Sequence, residues 1–495
     1  VIVAALAAPF AVGLLLMLLR KHTPGRAAAW LGSATMTLSL VLLALVWEGR
    51  SVVSGEVDEG WIEPLGARLH LGVTALSWPF VLMTAFLGVL CCVWLVADGT
   101  SPALVGLVLV ISASSLGVFL SLDLLLFFVF FELALIPMWF VIAWWGSSDH
   151  SPSDRSDGQS SSRNVARVAA TRFLLFTVTG SALLLVGIVI VARDAGSLQI
   201  RDIAGTSAAA TILIVLGFAV KTPLVPLHTW LPDAHGTAPT VGSVLLAGVF
   251  LKLGTYGLLL LGSRMMAEPF GDVAPYLAGA GVVGIVWSAL ACYVQDDLKR
   301  LIAYSSIGHM GFVVLAISTQ SRIGLAAAVF GSIAHGLVTG LLFFSAGAMK
   351  DRFGTASMRA IGRGLYGRTP WLAAVFVLAA VASLGLPGLA GFWGELLSLR
   401  AAYEVGDVLS KPQAWTALGL AVLGVALTTA YFVRAIRLLA QGEPVPHDAD
   451  RDLGVREALV AAALVLPILV LGVAPGVLVG LYDAPAGSAG QAVAP

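Results

Sequence analysis

At 495 residues, with 58% hydrophobic and only 11% charged side chains, the chain carries under half the charge of a soluble domain, about 25%; a soluble enzyme or binding module is excluded. Its 28 basic residues balance its 28 acidic ones, which leaves no basic field to attract nucleic acid. Cys91, Cys92 and Cys292 all fall in apolar segments without metal-ligand spacing and read as small core hydrophobes.

A bilayer crossing takes about 20 mostly apolar residues. That template predicts about fourteen spans, near 1–19, 28–47, 78–97, 102–121, 123–145, 169–192, 209–231, 238–262, 274–294, 300–318, 323–349, 371–401, 414–436 and 457–481. The fold class is therefore an all-α polytopic membrane protein. The first segment ends in Arg20 and Lys21 and lacks the basic start and cleavage site of a signal peptide, so it reads as a retained span. Lysine and arginine are retained on the cytoplasmic side. The odd-numbered loops hold 18 of them and the even loops 8, which places both termini outside. The loop at 48–70, rich in Glu and Asp, then lies outside. The Ser- and Asp-rich insert at 146–167 reads as a flexible cytoplasmic loop. Arginine outnumbers lysine 22 to 6, a bias that points to a GC-rich bacterial genome and hence to a bacterial inner (plasma) membrane.

Four of the charges sit deep inside apolar segments: Glu132, Lys221, Lys252 and Glu395. Each costs about 2.5–3.5 kcal/mol at the bilayer centre even on permissive scales. Three of them accompany helix breakers. Span 7 reads VKTPLVPLHTWLPDAH, where Pro223 and Pro226 remove the bonds to the carbonyls of Ala219 and Thr222 beside Lys221. Span 12 reads SLGLPGLAGFWGELL, with Pro387, Gly388 and Gly391 ahead of Glu395. In span 5, Pro137 follows Glu132 and frees the carbonyl of Leu133. A proline kink alone is commonly structural; a kink joined to an intramembrane charge points to a transport path.

A buried ammonium is poised between its charged and neutral forms, and a nearby carboxylate tips it toward the charged one. A movable Glu132–Lys221 contact would act as a switch of proton affinity, with Lys252 the next site inward; a permanent pair that only ties helices together is the static alternative. His309 in LIAYSSIGHMGFVVL and His335 in VFGSIAHGLVTGLLFF could bridge to Glu395, or be hydrogen-bonded core residues. His228 and His235 near the cytoplasmic end of span 7 are a candidate entrance or a helix cap. Asp123 reads as an interfacial carboxylate at the outer edge of span 5. Trp78, Trp144, Trp145, Trp230 and Trp371 fall near predicted span ends, as interfacial anchors do. Spans 4–8 and 9–13 each hold a broken fourth helix with a buried charge, and an odd number of spans per unit gives inverted repeats. The division is 1–100 for spans 1–3, 101–263 and 272–440 for the two five-helix units, and 441–495 for a cytoplasmic loop and the last span.

The segments AVKTPLVPLHTWLPDAHGTAPT, LLAGVFLKLGTYG, DDLKRLIAYSSIGHMG and GLPGLAGFWGE together resemble the antiporter-like subunits of respiratory complex I and of multisubunit cation/proton antiporters. The resemblance covers nearly all fourteen spans. It implies two inverted five-helix units, each with a discontinuous helix, around a mid-membrane polar axis. It matches Glu132 and Lys221 to the family's Glu–Lys pair, Lys252 to the connecting lysine, His309 and His335 to the central histidines, and Glu395 to the terminal site. Glutamate at that last position resembles the M-type (chain 4) branch, since sister subunits and antiporter relatives typically carry lysine there. The lack of a long amphipathic helix after span 14 argues against the L-type sister.

The resemblance implies no cofactor in this chain, with FMN, iron–sulfur clusters and quinone in partner subunits. Those partners are the other membrane-arm antiporter-like and small membrane subunits and the peripheral redox arm, all beside the lipid bilayer. The implied activity is NADH:quinone oxidoreduction coupled to proton translocation, with no redox site in this chain. A subunit of a sodium/proton antiporter, an energy-converting hydrogenase and a purely structural scaffold are the competing readings.

Overall fold

The structure, a computed structural model, describes residues 1–49, 52–97, 99–147, 158–203, 205–262, 267–404, 409–444 and 451–482. Residues 148–157 of the serine-rich insert, with Arg155, lie outside the described residues, as do Arg50 and Arg264. The elements are α1 (Ile2–Leu18), α2 (Gly25–Val46), β1 (Val53–Ile62), β2 (Ala67–Thr74), α3 (Trp78–Trp94), α4 (Pro102–Leu120), α5 (Leu124–Leu133), α6 (Leu135–Trp145), α7 (Gly158–Ala195) and α8 (Ala208–Lys221). There follow α9 (Trp230–Thr237), α10 (Thr240–Leu245), α11 (Leu251–Gly257), α12 (Ala267–Val294), α13 (Leu298–Ser318), α14 (Arg322–Phe353), α15 (Met358–Ile361) and α16 (Leu365–Arg368). The chain closes with α17 (Pro370–Ser383), α18 (Ala390–Tyr403), α19 (Lys411–Leu439), α20 (Val455–Val473) and α21 (Gly476–Val479).

Among the described residues, ten helices are long and apolar enough to cross a membrane, and α1, α3, α8 and α17 are shorter apolar helices. Each overlaps a segment expected to span. Helices that are apolar on every side belong in a core. Accordingly, every residue of α4 from Ala103 to Leu120 is buried, and α10, α11, α13 and α14 are buried almost throughout. The outer helices bury one face and turn an equally apolar face outward, as Leu45, Val283 and Val473 do. An apolar belt of this kind is at home in lipid, and the chain is a multi-pass membrane protein.

Two expectations change here. Helix α7 begins at Gly158, so the helical part starts well before the predicted 169; RNVARVAATR contains no breaker and continues the turn into the loop. The acidic segment expected only as an external loop is an antiparallel hairpin, with Asp58 opposite His70 and Val57 opposite Leu71. Its inner strand buries Leu71 and Val73.

A polar network clamps the hairpin to the helix ends. His70 Nδ1 lies 2.5 Å from Gln199 Oε1 and its Nε2 2.8 Å from Glu56 Oε1. Asp123, expected at the outer edge of span 5, does stand at that helix end and is buried there. It caps α5 by accepting the N–H groups of Leu125 at 2.9 Å and Leu126 at 3.0 Å, and also takes the Gln199 amide at 2.7 Å. On the hairpin surface, the Arg68 guanidinium hydrogen-bonded to Asp58 holds that carboxyl below its usual range.

Loops predicted on one face bond to one another. Arg172 and Arg300 both reach Asp233. Lys350 reaches the Ser147 carbonyl, Arg352 reaches Glu457, and Arg456 reaches the Val96 carbonyl. The hairpin, Asp123 and Gln199 form the opposite face.

Candidate functional site

The first broken helix ends where its sequence says it must. Pro223 has no N–H to continue α8, so the Thr222 N–H bonds Phe218 at 2.8 Å and the Leu224 N–H reaches back to Ala219 at 2.9 Å. The Val220 carbonyl is taken by the indole N–H of Trp230 at 3.1 Å. Trp230 is therefore no interfacial anchor: it is fully buried and stitches the two halves of the break. In hydrocarbon such a freed carbonyl needs this kind of partner.

Lys221 stands at the end of α8, 2% exposed. Its Nζ donates to the Phe131 carbonyl at 3.2 Å and lies 3.3 Å from the centroid of the Phe131 ring, a cation–π contact. Phe131 is in the last turn of α5, whose carbonyls are left available by the break at Ala134. That break lies at the Leu133 carbonyl freed by Pro137. Glu132 is the next residue, and its carboxylate accepts the Ser181 hydroxyl. Among the described residues no ion pair within 4.0 Å joins Glu132 to Lys221. The two groups stand open in this structure, one on Ser181 and the other on Phe131, an arrangement compatible with a movable contact but not with a permanent closed pair.

Lys252 is completely buried. It follows a π-helical turn at Leu246–Phe250, a distortion often found at functional positions. The wider turn exposes the Ala247 carbonyl, which accepts from Lys252 Nζ at 2.6 Å. The same Nζ lies 2.5 Å from His335 Nδ1. Two residues on, Gly254 lets α11 touch the first break. A Cβ at 254 would lie 2.6 Å from Thr222 Oγ1 and 3.1 Å from the Lys221 carbonyl carbon. Gly254→Ala is expected to cost about 1–3 kcal/mol by overpacking, read as a lower Tm of the purified assembly. An unchanged Tm would mean that this contact gives way freely.

The second half of the site continues from His335 on α14. Its ring meets that of His309 on α13 with centroids 5.6 Å apart, edge to face. His309 Nε2 is 2.9 Å from Ser383 Oγ, and its Nδ1 is 3.4 Å from Glu395 Oε1. Ser383 is the last residue of α17 and Glu395 lies in the second turn of α18, so both come from the second broken helix. The intervening turn carries Gly385 at φ 79°, a conformation that favours glycine. A Cβ there would also lie 2.7 Å from Glu395 Oε2. Glycine thus makes the turn and leaves room for the carboxylate. His309, His335, Thr339, Ser383 and Glu395 line a cavity of about 30 Å³, room enough for water. His335 Nε2 and Glu395 Oε1 have no hydrogen-bond partner among the described residues.

His228 and His235 are both buried. His235 stacks on Phe343 with centroids 4.6 Å apart, and neither of its ring nitrogens is hydrogen-bonded among the described residues. It is thus no helix cap. The same region holds groups that the sequence reading passed over. Lys299, counted as a loop cation, is 2% exposed and donates to the Ala238 carbonyl. Close by, Arg172, Asp233, Thr237, Asp297 and Arg300 line a surface pocket of about 480 Å³. The signal for Lys299 was present in DDLKR, where Asp297 caps α13 and puts Lys299 in the first turn of a buried helix.

Two broken helices, with a buried amine at the first and a largely buried run of amine, imidazole and carboxylate groups from Lys252 to Glu395 at the second, define a multi-pass membrane protein with a polar interior. Residues 121–423 match the family model described as NADH:quinone oxidoreductase/Mrp antiporter, TM, and the chain belongs to this family. It is 35% identical to the protein named NADH-quinone oxidoreductase subunit M of Pseudomonas aeruginosa, covering 94% of this chain and 93% of that one. Among solved structures, it resembles a chain of respiratory complex I from Thermus thermophilus with bound NADH, at 28% identity and a TM-score of 0.86, with each chain covered in full. It also resembles a chain of the Mrp complex from Dietzia sp. DQ12-45-1b, at 26% identity and a TM-score of 0.83, covering 99% of this chain but 51% of that one. The expected kinship with the M-type branch is borne out.

Proposed function

We propose that this chain is an M-type, proton-translocating membrane subunit of an NADH:quinone oxidoreductase. The observation that carries the proposal is the run Lys252–His335–His309–Glu395, which links the centre of the chain to its second broken helix through contacts of 2.5 Å and 3.4 Å and one edge-to-face ring pair. A neutral imidazole accepts a proton at one nitrogen and releases one from the other. His335 can take a proton from Lys252 at Nδ1 and offer one at Nε2 toward the cavity. His309 can receive it and deliver one from Nδ1 to Glu395.

Lys221 and Glu132 form the other end of the relay. When Nζ leaves the Phe131 carbonyl for the Glu132 carboxylate, the charged form of Lys221 is favoured; when it returns, proton release is favoured. Glu132, Lys221, Lys252, His309, His335 and Glu395 are the proton-carrying groups in this reading. His235, with Lys299 on one side and Lys252 on the other, is the cytoplasmic entrance in this reading, together with His228. Each charge moved against 100 mV requires about 2.3 kcal/mol, which the redox reaction in partner subunits supplies. FMN, iron–sulfur clusters and quinone belong to those partners and none to this chain. The partners are the peripheral redox arm and further antiporter-like and small membrane subunits.

Residues 101–263 and 272–440 form two inverted five-helix units, preceded by three spans and followed by one, in a bacterial inner membrane with both termini outside. The match to the subunit M relative over 94% of this chain and the carboxylate at 395 favour this reading over a sodium/proton antiporter subunit. Affinity purification of the chain from its native membrane tests it. Co-purifying flavin, iron–sulfur signals and NADH:quinone activity are expected. Their absence, together with sodium-dependent proton exchange after reconstitution, would instead make it an antiporter subunit.

A further inference from the structure

The surroundings of Lys252 differ sharply between the two faces of the protein. Toward the Arg172–Asp233–Arg300 face the helix containing Lys252 is flanked by polar groups: Ser243, the two unbonded nitrogens of His235, and Lys299. Toward the hairpin face the next residue on the same side of the helix, four positions on, is Tyr256. Its ring packs against Phe80 with centroids 5.4 Å apart and against Phe119 at 5.0 Å, while Phe80 and Phe119 are 5.4 Å apart. All three side chains are essentially fully buried. The Tyr256 hydroxyl donates to the Phe119 carbonyl at 3.3 Å, one of the last carbonyls of α4, which have no helical partner. Beyond them lie the hairpin base and the Thr74–Ser77 turn, whose hydroxyl and amide groups bond one another.

We propose that Phe80, Phe119 and Tyr256 are the seal that closes the polar axis on the hairpin side at Lys252, so that this half of the chain exchanges protons with one side of the membrane only. The inference rests on the proton-translocating reading above. A proton crosses a membrane protein along water or titratable groups, and a closed aromatic constriction keeps water out. Three mutually packed, buried rings from α3, α4 and α11 stand on the hairpin side of Lys252. Tyr256 fits this position because its ring is apolar while its hydroxyl satisfies an end-of-helix carbonyl on the far side. The ring, not the hydroxyl, does the sealing.

The test uses the intact complex in sealed proteoliposomes and reads passive proton influx driven by a potassium diffusion potential, with no NADH present. Phe80→Ala and Tyr256→Ala are expected to raise this influx several-fold over the wild type, and to lower the pH gradient built with NADH while electron transfer continues. Tyr256→Phe is expected to be as tight as the wild type. Adding Lys252→Met to either leaky variant is expected to remove the extra influx, because the leak runs through the axis. Phe80→Leu and Phe119→Leu, which retain apolar bulk but not the ring, serve where an alanine variant does not assemble. Wild-type tightness in every assembled alanine or leucine variant would overturn the proposal. So would a leak that persists without Lys252, or a Tyr256→Phe complex that no longer pumps. A wild-type complex that builds no pH gradient with NADH would refute the translocation reading instead, and the passive measurement separates the two failures.

Discussion

Lys221→Ala is expected to leave the complex assembled while proton movement through this chain falls by about 10²–10⁴-fold, the usual contribution of a positioned acid–base group. The ammonium is held by a single carbonyl, at 3.2 Å, and by the face of Phe131. Neither contact supplies a proton acceptor, so methyl in place of the amine cuts the relay between Glu132 and Lys252 without a substitute. Removal of the side chain also leaves no buried carboxylate unpaired, because Glu132 retains the Ser181 hydroxyl. Assembly should therefore survive. The check is proton uptake in reconstituted vesicles at a matched amount of complex. Wild-type pumping in the assembled variant would assign Lys221 a purely structural role.

Glu395→Gln is the second large effect. Glutamine keeps the shape that Gly385 accommodates, but it cannot gain or lose a proton at the atom 3.4 Å from His309 Nδ1. A proton reaching His309 then has no titratable group on the second broken helix, and transfer should fall by about 10²-fold or more. Glu395→Lys restores a titratable group and is expected to recover part of the loss. The readout is the pH gradient formed per NADH oxidised by wild type and both variants. Normal pumping by the glutamine variant would remove Glu395 from the path. A lysine variant no better than glutamine would show that carboxylate chemistry itself is required.

Both broken helices were legible in the sequence because their causes are local. Pro137, Pro223 and Pro387 delete specific hydrogen bonds wherever they stand in a helix, and intramembrane charges stand out against apolar neighbours. What escaped depends on contacts remote in sequence. Trp230 sits at a segment end, where tryptophan usually marks the interface, yet a freed carbonyl ten residues back captures it. Lys299 has Asp297 and Arg300 around it and looks like a loop cation; only the packing of α13 against the chain around Ala238 buries it. The π-helical turn before Lys252 has only Gly248 in LAGVF to hint at it, and glycine is common in membrane helices. The hairpin competes poorly as a sequence signal because glycine and acidic positions break the pattern of β1, and β2 is buried on both faces from His70 to Thr74, which only docking reveals. The Glu132–Lys221 contact was read from charge and from the family resemblance, whereas the distance between the two depends on how α5 and α8 break.

The claim at the centre of this account is that one connected axis carries protons across the middle of the chain. Lys252 begins the contacting run to Glu395, its Nζ lying on the Ala247 carbonyl and on His335 Nδ1. The most direct measurement is the number of protons translocated per NADH by the reconstituted Lys252→Met complex, beside its NADH:quinone rate. The account predicts an assembled complex whose proton yield drops by this chain's share. An unchanged proton yield at an unchanged rate would contradict it.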